Sequence, residues 1–330
     1  MLRNTDFEIY DYLESIRIKQ ESTLELRKDV SFLSKSCQEG LNNFFNNYSS
    51  NIINDNISDL LALTKKRIND LFNIKYSFPA FGKIKQAKEI IKNKYKTLFI
   101  NNTNYNNLDK LYNDYDLLFI ESSFFIYYDY KLLDDLKKYN KLILIDITNI
   151  VGEVLLKRID IFKYGDIYLT QTNGVMQSID NTILLSNDNY EFNYDININD
   201  LIIQAISLKE LNNFNIYYDN LLNNINVFIS ELKNNNYDYI YNPQTYLIYL
   251  KNNNELFLDK LKYVGININK EDDYYVISLH ALTGRGFKSH EIEELFRIIN
   301  QTNNNIDNEE KIENLKHEAI SLIRKFPLKR

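Results

Sequence analysis

KTLFI at 96–100, DLLFI at 116–120, KLILID at 141–146 and DIYLT at 166–170 are four apolar runs of strand length, and their reading decides the fold. Each is continuously apolar rather than alternating, so each predicts a strand covered on both faces. Helix-like stretches such as 130–139 separate them, and strands that alternate with helices in this way form a mostly parallel sheet with helices packed on it. Asp146 ends the third run. Open α/β sheets place ligands beyond the carboxyl ends of their strands, so this is where a site is expected.

Working outward, Phe7, Ile9, Tyr12, Leu13 and Ile16 recur at helical spacing in an N-terminal arm assigned to residues 1–50. Leu60, Leu61, Leu63, Ile68, Leu71 and Phe72 form one stripe of a helix ending near Asn73, and residues 83–94 read as a lysine-rich helix. A large α/β domain is expected over 51–204. A smaller α/β domain over 205–330 then holds a long helix from Leu201 to Leu232 at its entry. Strands YLIYL (246–250) and YYVISL (274–279) follow, with helices starting near Ser289 and Glu309. Ser289 is the expected N-cap, with acidic residues in the first turn behind it. Asparagine clusters at 234–236, 252–254 and 303–305 read as loops between these elements.

Composition narrows the functional classes. The 330 residues are 44% hydrophobic and 25% charged, enough for a large core and for one large domain plus a smaller one. Three prolines, eight glycines and no tryptophan, beside many Asn, Ile, Lys and Tyr, match the codon bias of an AT-rich genome, and the asparagines carry no functional reading. A net charge of −6 without a clustered basic stretch argues against nucleic acid as a partner. Cys37 is the single cysteine, which excludes an intrachain disulfide framework and a multi-cysteine metal site. His280, His290 and His317 are too dispersed in sequence to make a metal site. Neither a signal peptide nor a membrane-length apolar run is seen, so a cytoplasmic protein with no membrane partner is expected.

Four collinear segments carry a family resemblance. QESTLELRKDVSFLS (20–34) resembles a stretch in which LELI precedes Ser-Glu-Asn-Phe. Residues 129–155, DYKLLDDLKKYNKLILIDITNIVGEVL, resemble a strand bearing Asp-Met-Ala-His and a following Ile-Ala-Gly. GDIYLTQTNGVMQ (165–177) is similar to the strand leading into Thr-Thr-Thr-His-Lys, and SLHALTGRGF (278–287) to Gly-Thr-Pro-Ala-Leu-Thr-Ser-Arg-Gly. The family is serine hydroxymethyltransferase, a pyridoxal-phosphate transferase of fold type I. The resemblance therefore implies an α/β fold with a large cofactor domain and a smaller C-terminal domain.

Carried over residue by residue, the resemblance implies a degenerate site. Asp146 matches the aspartate that pairs with the pyridinium nitrogen and keeps the ring an electron sink. Asn149 replaces a histidine that contacts the cofactor. Asn173 and Gly174 stand at the His-Lys positions, so the lysine that would form the internal aldimine is missing. Lys157 and Lys163 precede the strand and read as solvent-facing. PAFGKIKQ (79–86) corresponds to the phosphate-binding turn, where Gly82 and Lys83 are candidates for holding an anion at a helix start. Ser122, in ESSF, falls close to a cofactor-contacting serine. Arg285 matches the bidentate clamp for the substrate carboxylate. The family's glycine- and tyrosine-rich loop has no counterpart between Tyr48 and Ile57. The chain is also shorter than the family between Lys85 and Asn102, where the ring-stacking histidine belongs.

The implied function is a serine hydroxymethyltransferase-like protein without hydroxymethyltransferase activity, working by binding or regulating a partner. A homodimer, or a heterodimer with an active homologue, follows from the same resemblance. The alternative is an enzyme acting on a small amino acid with pyridoxal phosphate held noncovalently, for which Asp146 and Arg285 are the support. No metal is implied.

Overall fold

A computed structural model describes residues 2–42, 57–102, 104–105, 112–127, 130–251 and 254–328. The chain divides into two compact units: residues 31–218 with 241–246, and residues 1–30 with 219–240 and 247–330. This differs from the divisions expected at 50 and 204. Residues 24–25 pair in parallel with residues 266–267, which takes the N-terminal thirty residues into the C-terminal unit. The helix Ile198–Glu210 packs on the helices Ile57–Phe72 and Lys35–Leu41 and stays with the first unit. The segment 48–57, where a missing loop was inferred, lies outside the described residues except for Ile57.

Twelve strands are described: β1 (Leu24–Glu25), β2 (Tyr76–Phe78), β3 (Thr97–Ile100), β4 (Leu117–Ile120), β5 (Leu142–Asp146), β6 (Ile167–Gln171), β7 (Thr182–Ser186), β8 (Tyr239–Tyr241), β9 (Leu247–Lys251), β10 (Ile266–Asn267), β11 (Asn269–Glu271) and β12 (Tyr274–Ser278). The first unit holds a mixed six-stranded sheet in the order β2-β7-β6-β5-β4-β3. β3 to β6 are the four runs read from sequence, and they pair in parallel. β7 lies antiparallel between β6 and β2, a pair of strands that the apolar pattern did not reveal.

Burial on both faces explains the continuous apolar runs. On one face Leu117, Phe119, Leu144, Ile167, Leu169 and Leu184 form a core with Phe81, Ala87 and Ile91, and Ala87 and Ile91 come from the helix Ile84–Lys94. On the other, Leu118, Ile120, Ile143, Ile145, Tyr168 and Ile183 are buried as completely. The twelve side chains cannot reach water from either side, so alternation with polar residues is excluded.

The second unit contains the antiparallel pairs β11–β12 and β12–β9, with β8 at the far edge, and the helices Glu255–Val264, Ser289–Asn304 and Glu309–Arg324. Ser289 is the first helical residue rather than the N-cap. Lys288 holds the N-cap position, and its backbone N–H donates to the Glu291 carboxylate at 2.9 Å. The expected single helix from 201 to 232 is two helices, Ile198–Glu210 and Phe214–Asn234, joined by a tighter turn over Leu211–Asn213. At the N-terminus, Phe7–Glu21 is one helix without a buried residue, and Phe7, Tyr12 and Ile18 are more than half exposed. No helix among the described residues is long and apolar enough to cross a membrane.

Candidate functional site

Asp146 closes β5 at the carboxyl edge of the sheet and is 3% exposed. Its Oδ1 accepts the Thr148 backbone N–H at 3.0 Å and the Thr148 hydroxyl at 2.5 Å. The carboxylate thereby starts the tight turn Thr148–Ile150, satisfying amides that the end of a strand leaves unpaired. The Thr148 hydroxyl oxygen also accepts from Gln171 N at 3.0 Å, so the motif locks the end of β5 to the end of β6. Thr148 was not singled out from sequence. The Asp-x-Thr spacing, a carboxylate two residues before an amide it can accept from, is the signal that would have found it.

Asn149 and Ser122 come together, through the Asn149 side-chain amide donating to the Ser122 carbonyl at 3.1 Å. Asn149 is buried, so the neutral amide secures the backbone after β4. Beside it, Glu121 accepts from Lys88 at 2.6 Å and from the Asn101 amide at 3.4 Å, tying the carboxyl ends of β3 and β4 to the helix Ile84–Lys94.

After β6 the chain turns at Asn173 and Gly174, both buried, and Gly174 adopts φ +64°. That left-handed conformation costs a side chain roughly 1–2 kcal/mol, so the position favours glycine. Lys157 and Lys163 are exposed and lie before β6, near its amino end, as read from sequence.

The Gly82 turn is occupied by the protein's own groups. Gly82 has φ +88°, and its N–H donates to Asn181 Oδ1 at 3.1 Å while its carbonyl accepts from the Thr182 hydroxyl at 2.8 Å. The Gln86 side chain folds back to accept the Lys83 backbone N–H at 3.0 Å, capping the helix that Lys83 opens. Lys83 Nζ pairs with Asp180 at 3.6 Å. Behind the turn, Asn181 donates to Asp200 at 2.8 Å and Gln204 accepts from Ala80 N at 2.8 Å. Burial raises the Asp200 carboxyl above its ordinary pKa, opposed by the Asn181 hydrogen bond. Glutamine three residues after Lys83, at the end of PAFGKIKQ, is a capping-box signal; Asn181, Asp200 and Gln204 have no local signature.

Arg285 belongs to the other unit, at the end of the short helix His280–Arg285. Its Nε and Nη2 both donate to the Phe326 carbonyl, at 2.8 and 2.5 Å, and Nη1 reaches the Gln20 carbonyl at 3.3 Å. Nη2 also approaches the Ile323 carbonyl at 3.5 Å. The guanidinium thus gathers carbonyls where the helix Glu309–Arg324 ends, a place suited to a cation. Burial lowers its pKa to about 10.

These residues do not fit a covalently held, phosphate-bearing cofactor. Position 174 offers no amine, Gln86 and Asn181 occupy the amides that would meet a phosphate, and the Asp146 carboxylate is engaged at Oδ1 by Thr148. Among the described residues no cluster of His, Cys, Asp and Glu is arranged to hold a metal ion. No known protein-family model matches the chain, and no curated protein matches it in sequence. The structure defines an α/β protein with a mixed six-stranded sheet whose carboxyl edge is braced by buried polar side chains.

Proposed function

We propose that the chain is a serine hydroxymethyltransferase-like protein of pyridoxal-phosphate fold type I that has lost the transferase reaction and acts by binding or regulating a partner. The observation that carries this reading is the Gly174 turn: it follows β6 where the resembling family bears its lysine, and its positive φ favours glycine. The engagement of the Gly82 turn by Gln86 and Asn181 supports it independently. In this reading Asp146 and Asn149 serve the sheet edge, and Arg285 serves the second unit.

The proposed partner is a second copy of the chain or an active homologue, met through the helix Phe7–Glu21. Ile9, Tyr12, Leu13 and Ile16 share one stripe of this helix, apart from the Glu14–Arg17–Glu21 ion-pair ladder. Burying that stripe against another subunit would remove apolar surface from water. A cytoplasmic location accompanies the proposal.

The test is to add pyridoxal phosphate to the purified protein, record its visible spectrum, and assay conversion of serine and tetrahydrofolate to glycine. No aldimine band and no turnover are expected. A borohydride-reducible cofactor adduct on any lysine, or measurable turnover, overturns the reading. A noncovalent spectral change abolished by Asp146→Ala would instead support the lysine-independent enzyme.

A further inference from the structure

A cleft of about 510 Å³ opens in the first unit beside the amino end of β6. Leu71, Phe72, Val154, Ile159 and Phe162 line it with apolar surface, and Asn73 and Asn187 contribute amides. Asn187 follows β7, whose last residue, Ser186, is registered against Ile167 at the start of β6. The cleft is therefore at the opposite end of this strand from Gly174, and its use does not depend on the proposed loss of transferase chemistry.

Lys157 and Lys163 stand at its rim, both exposed and neither ion-paired with an acid of the described residues. Lys163 Nζ lies 5.0 Å from the centroid of the Tyr164 ring. Asp160 is also exposed at the rim, so the lining carries two ammonium groups against one carboxylate.

The conformation of Lys157 is a second observation. It ends the helix Val151–Leu155 with φ +56°, donating to Val154 O at 3.0 Å, while Arg158 N donates to Glu153 O at 2.9 Å. Such a helix-ending position favours glycine, and a lysine there carries a backbone cost. A lysine rather than a glycine therefore takes the left-handed position at this lip.

We propose that this cleft binds an apolar organic monoanion, specifically a carboxylate with an aromatic or medium-chain body. The body lies on Phe72, Val154, Ile159 and Phe162, and the carboxylate meets the two ammonium groups. The volume falls in the range of small-molecule sites, roughly 300–1,000 Å³. Apolar surface supplies affinity, while the charge difference at the rim sets the sign of the ligand.

The test uses the fluorescent anion anilinonaphthalene sulfonate and its displacement by octanoate, octanol and octylammonium. Saturable binding at one site is expected, displaced by octanoate at least about tenfold more effectively than by octylammonium. The Lys157→Gln/Lys163→Gln double variant should bind about tenfold more weakly, whereas Lys85→Gln/Lys92→Gln, with the same change of charge on another helix, should bind as the native protein does. Lys157→Gly separates binding from folding: its melting temperature should be unchanged or higher while anion binding weakens. Equal displacement by octylammonium, native binding by the Lys157/Lys163 double variant or by Lys157→Gly, or equal weakening in the Lys85/Lys92 variant each overturns the proposal.

Discussion

Acid should destabilise this protein through one residue, His280. The ring is 1% exposed, its Nε2 is 2.5 Å from the Val30 carbonyl, and its Nδ1 is 2.7 Å from the Ser278 hydroxyl. A carbonyl can only accept, so Nε2 carries the proton and Nδ1 accepts from Ser278. Burial is the largest influence on the ring and lowers its pKa from 6.5 to about 4, against smaller opposing effects of the Val30 carbonyl and Asp29. The unfolded chain consequently binds a proton in a range where the folded chain does not. The contribution of His280 is fully present above pH 6.5 and is lost as pH falls from 6.5 through 4. At 1.36 kcal/mol per pKa unit it amounts to about 3 kcal/mol, of which about 2 kcal/mol is lost between pH 7 and pH 5.

The assay is urea unfolding, followed by tyrosine fluorescence and circular dichroism, from pH 7.5 to 4.5 for the native protein and for His280→Gln. The quantity that isolates His280 is the difference in slope between the two proteins. Glutamine keeps a donor for Val30 and has no titration in this window. The variant should be less stable at pH 7 and lose about 2 kcal/mol less than the native protein on going to pH 5. Parallel pH profiles would refute the buried neutral imidazole and the latch it forms between β12 and residue 30.

Arg285→Met should destabilise the second unit by about 2 kcal/mol in urea unfolding, because charge-assisted hydrogen bonds to backbone carbonyls are lost; unchanged stability would return Arg285 to the role of a ligand clamp. Asp146→Ala should cost about 1–3 kcal/mol, and Asp146→Asn much less, since the amide oxygen can still accept from Thr148. Equal losses in the two variants would show that the charge at 146 matters rather than the cap. Gly174→Lys should lower stability by about 1–2 kcal/mol without yielding a reducible pyridoxal adduct, because the turn sits at φ +64°; mass spectrometry after borohydride treatment decides it. Gly152→Ala should be among the most damaging single changes, as a Cβ there would lie 2.1 Å from Cε2 of the buried Tyr218 ring. A thermal melt like that of the native protein would mean the helix Val151–Leu155 yields more readily than its packing implies.

Parallel strands announce themselves because burial on both faces leaves an uninterrupted apolar run, and β3 to β6 were legible within a residue or two for that reason. TILLS at 182–186 is just as buried, yet it follows the irregular stretch 172–181 and runs antiparallel, and no local pattern fixes a strand's direction. YSF at 76–78 is a three-residue strand, too short for a period to develop. The break over Leu211–Asn213 is not legible in the sequence because the apolar spacing continues through it. Unit boundaries were least legible: two-residue pairing of β1 with β10 joins segments more than two hundred residues apart. At the candidate site, the position of Asp146 at the end of a strand was readable from KLILID. Its hydrogen-bond partner was not, because Thr148, Gln86 and Asn181 act through backbone geometry that residue type alone does not fix.

The two residues that match the resembling family in sequence, Asp146 and Arg285, share a property that Gly174 lacks. Asp146 supplies an acceptor to a buried backbone amide, and Arg285 supplies donors to backbone carbonyls at the end of a helix. Removing either leaves polar backbone groups unsatisfied, at a cost that does not depend on any reaction. A lysine used only to hold a cofactor has no such second duty. Under the proposed loss of the reaction, the turn after β6 would be released to the residue its backbone prefers, and at φ +64° that residue is glycine. Under the proposed lineage, retained family residues therefore cannot by themselves be taken as remnants of catalysis. Their hydrogen bonds give each a sufficient reason to remain, and the reaction is better judged by the groups with no structural duty, which is where this chain differs most from the family it resembles.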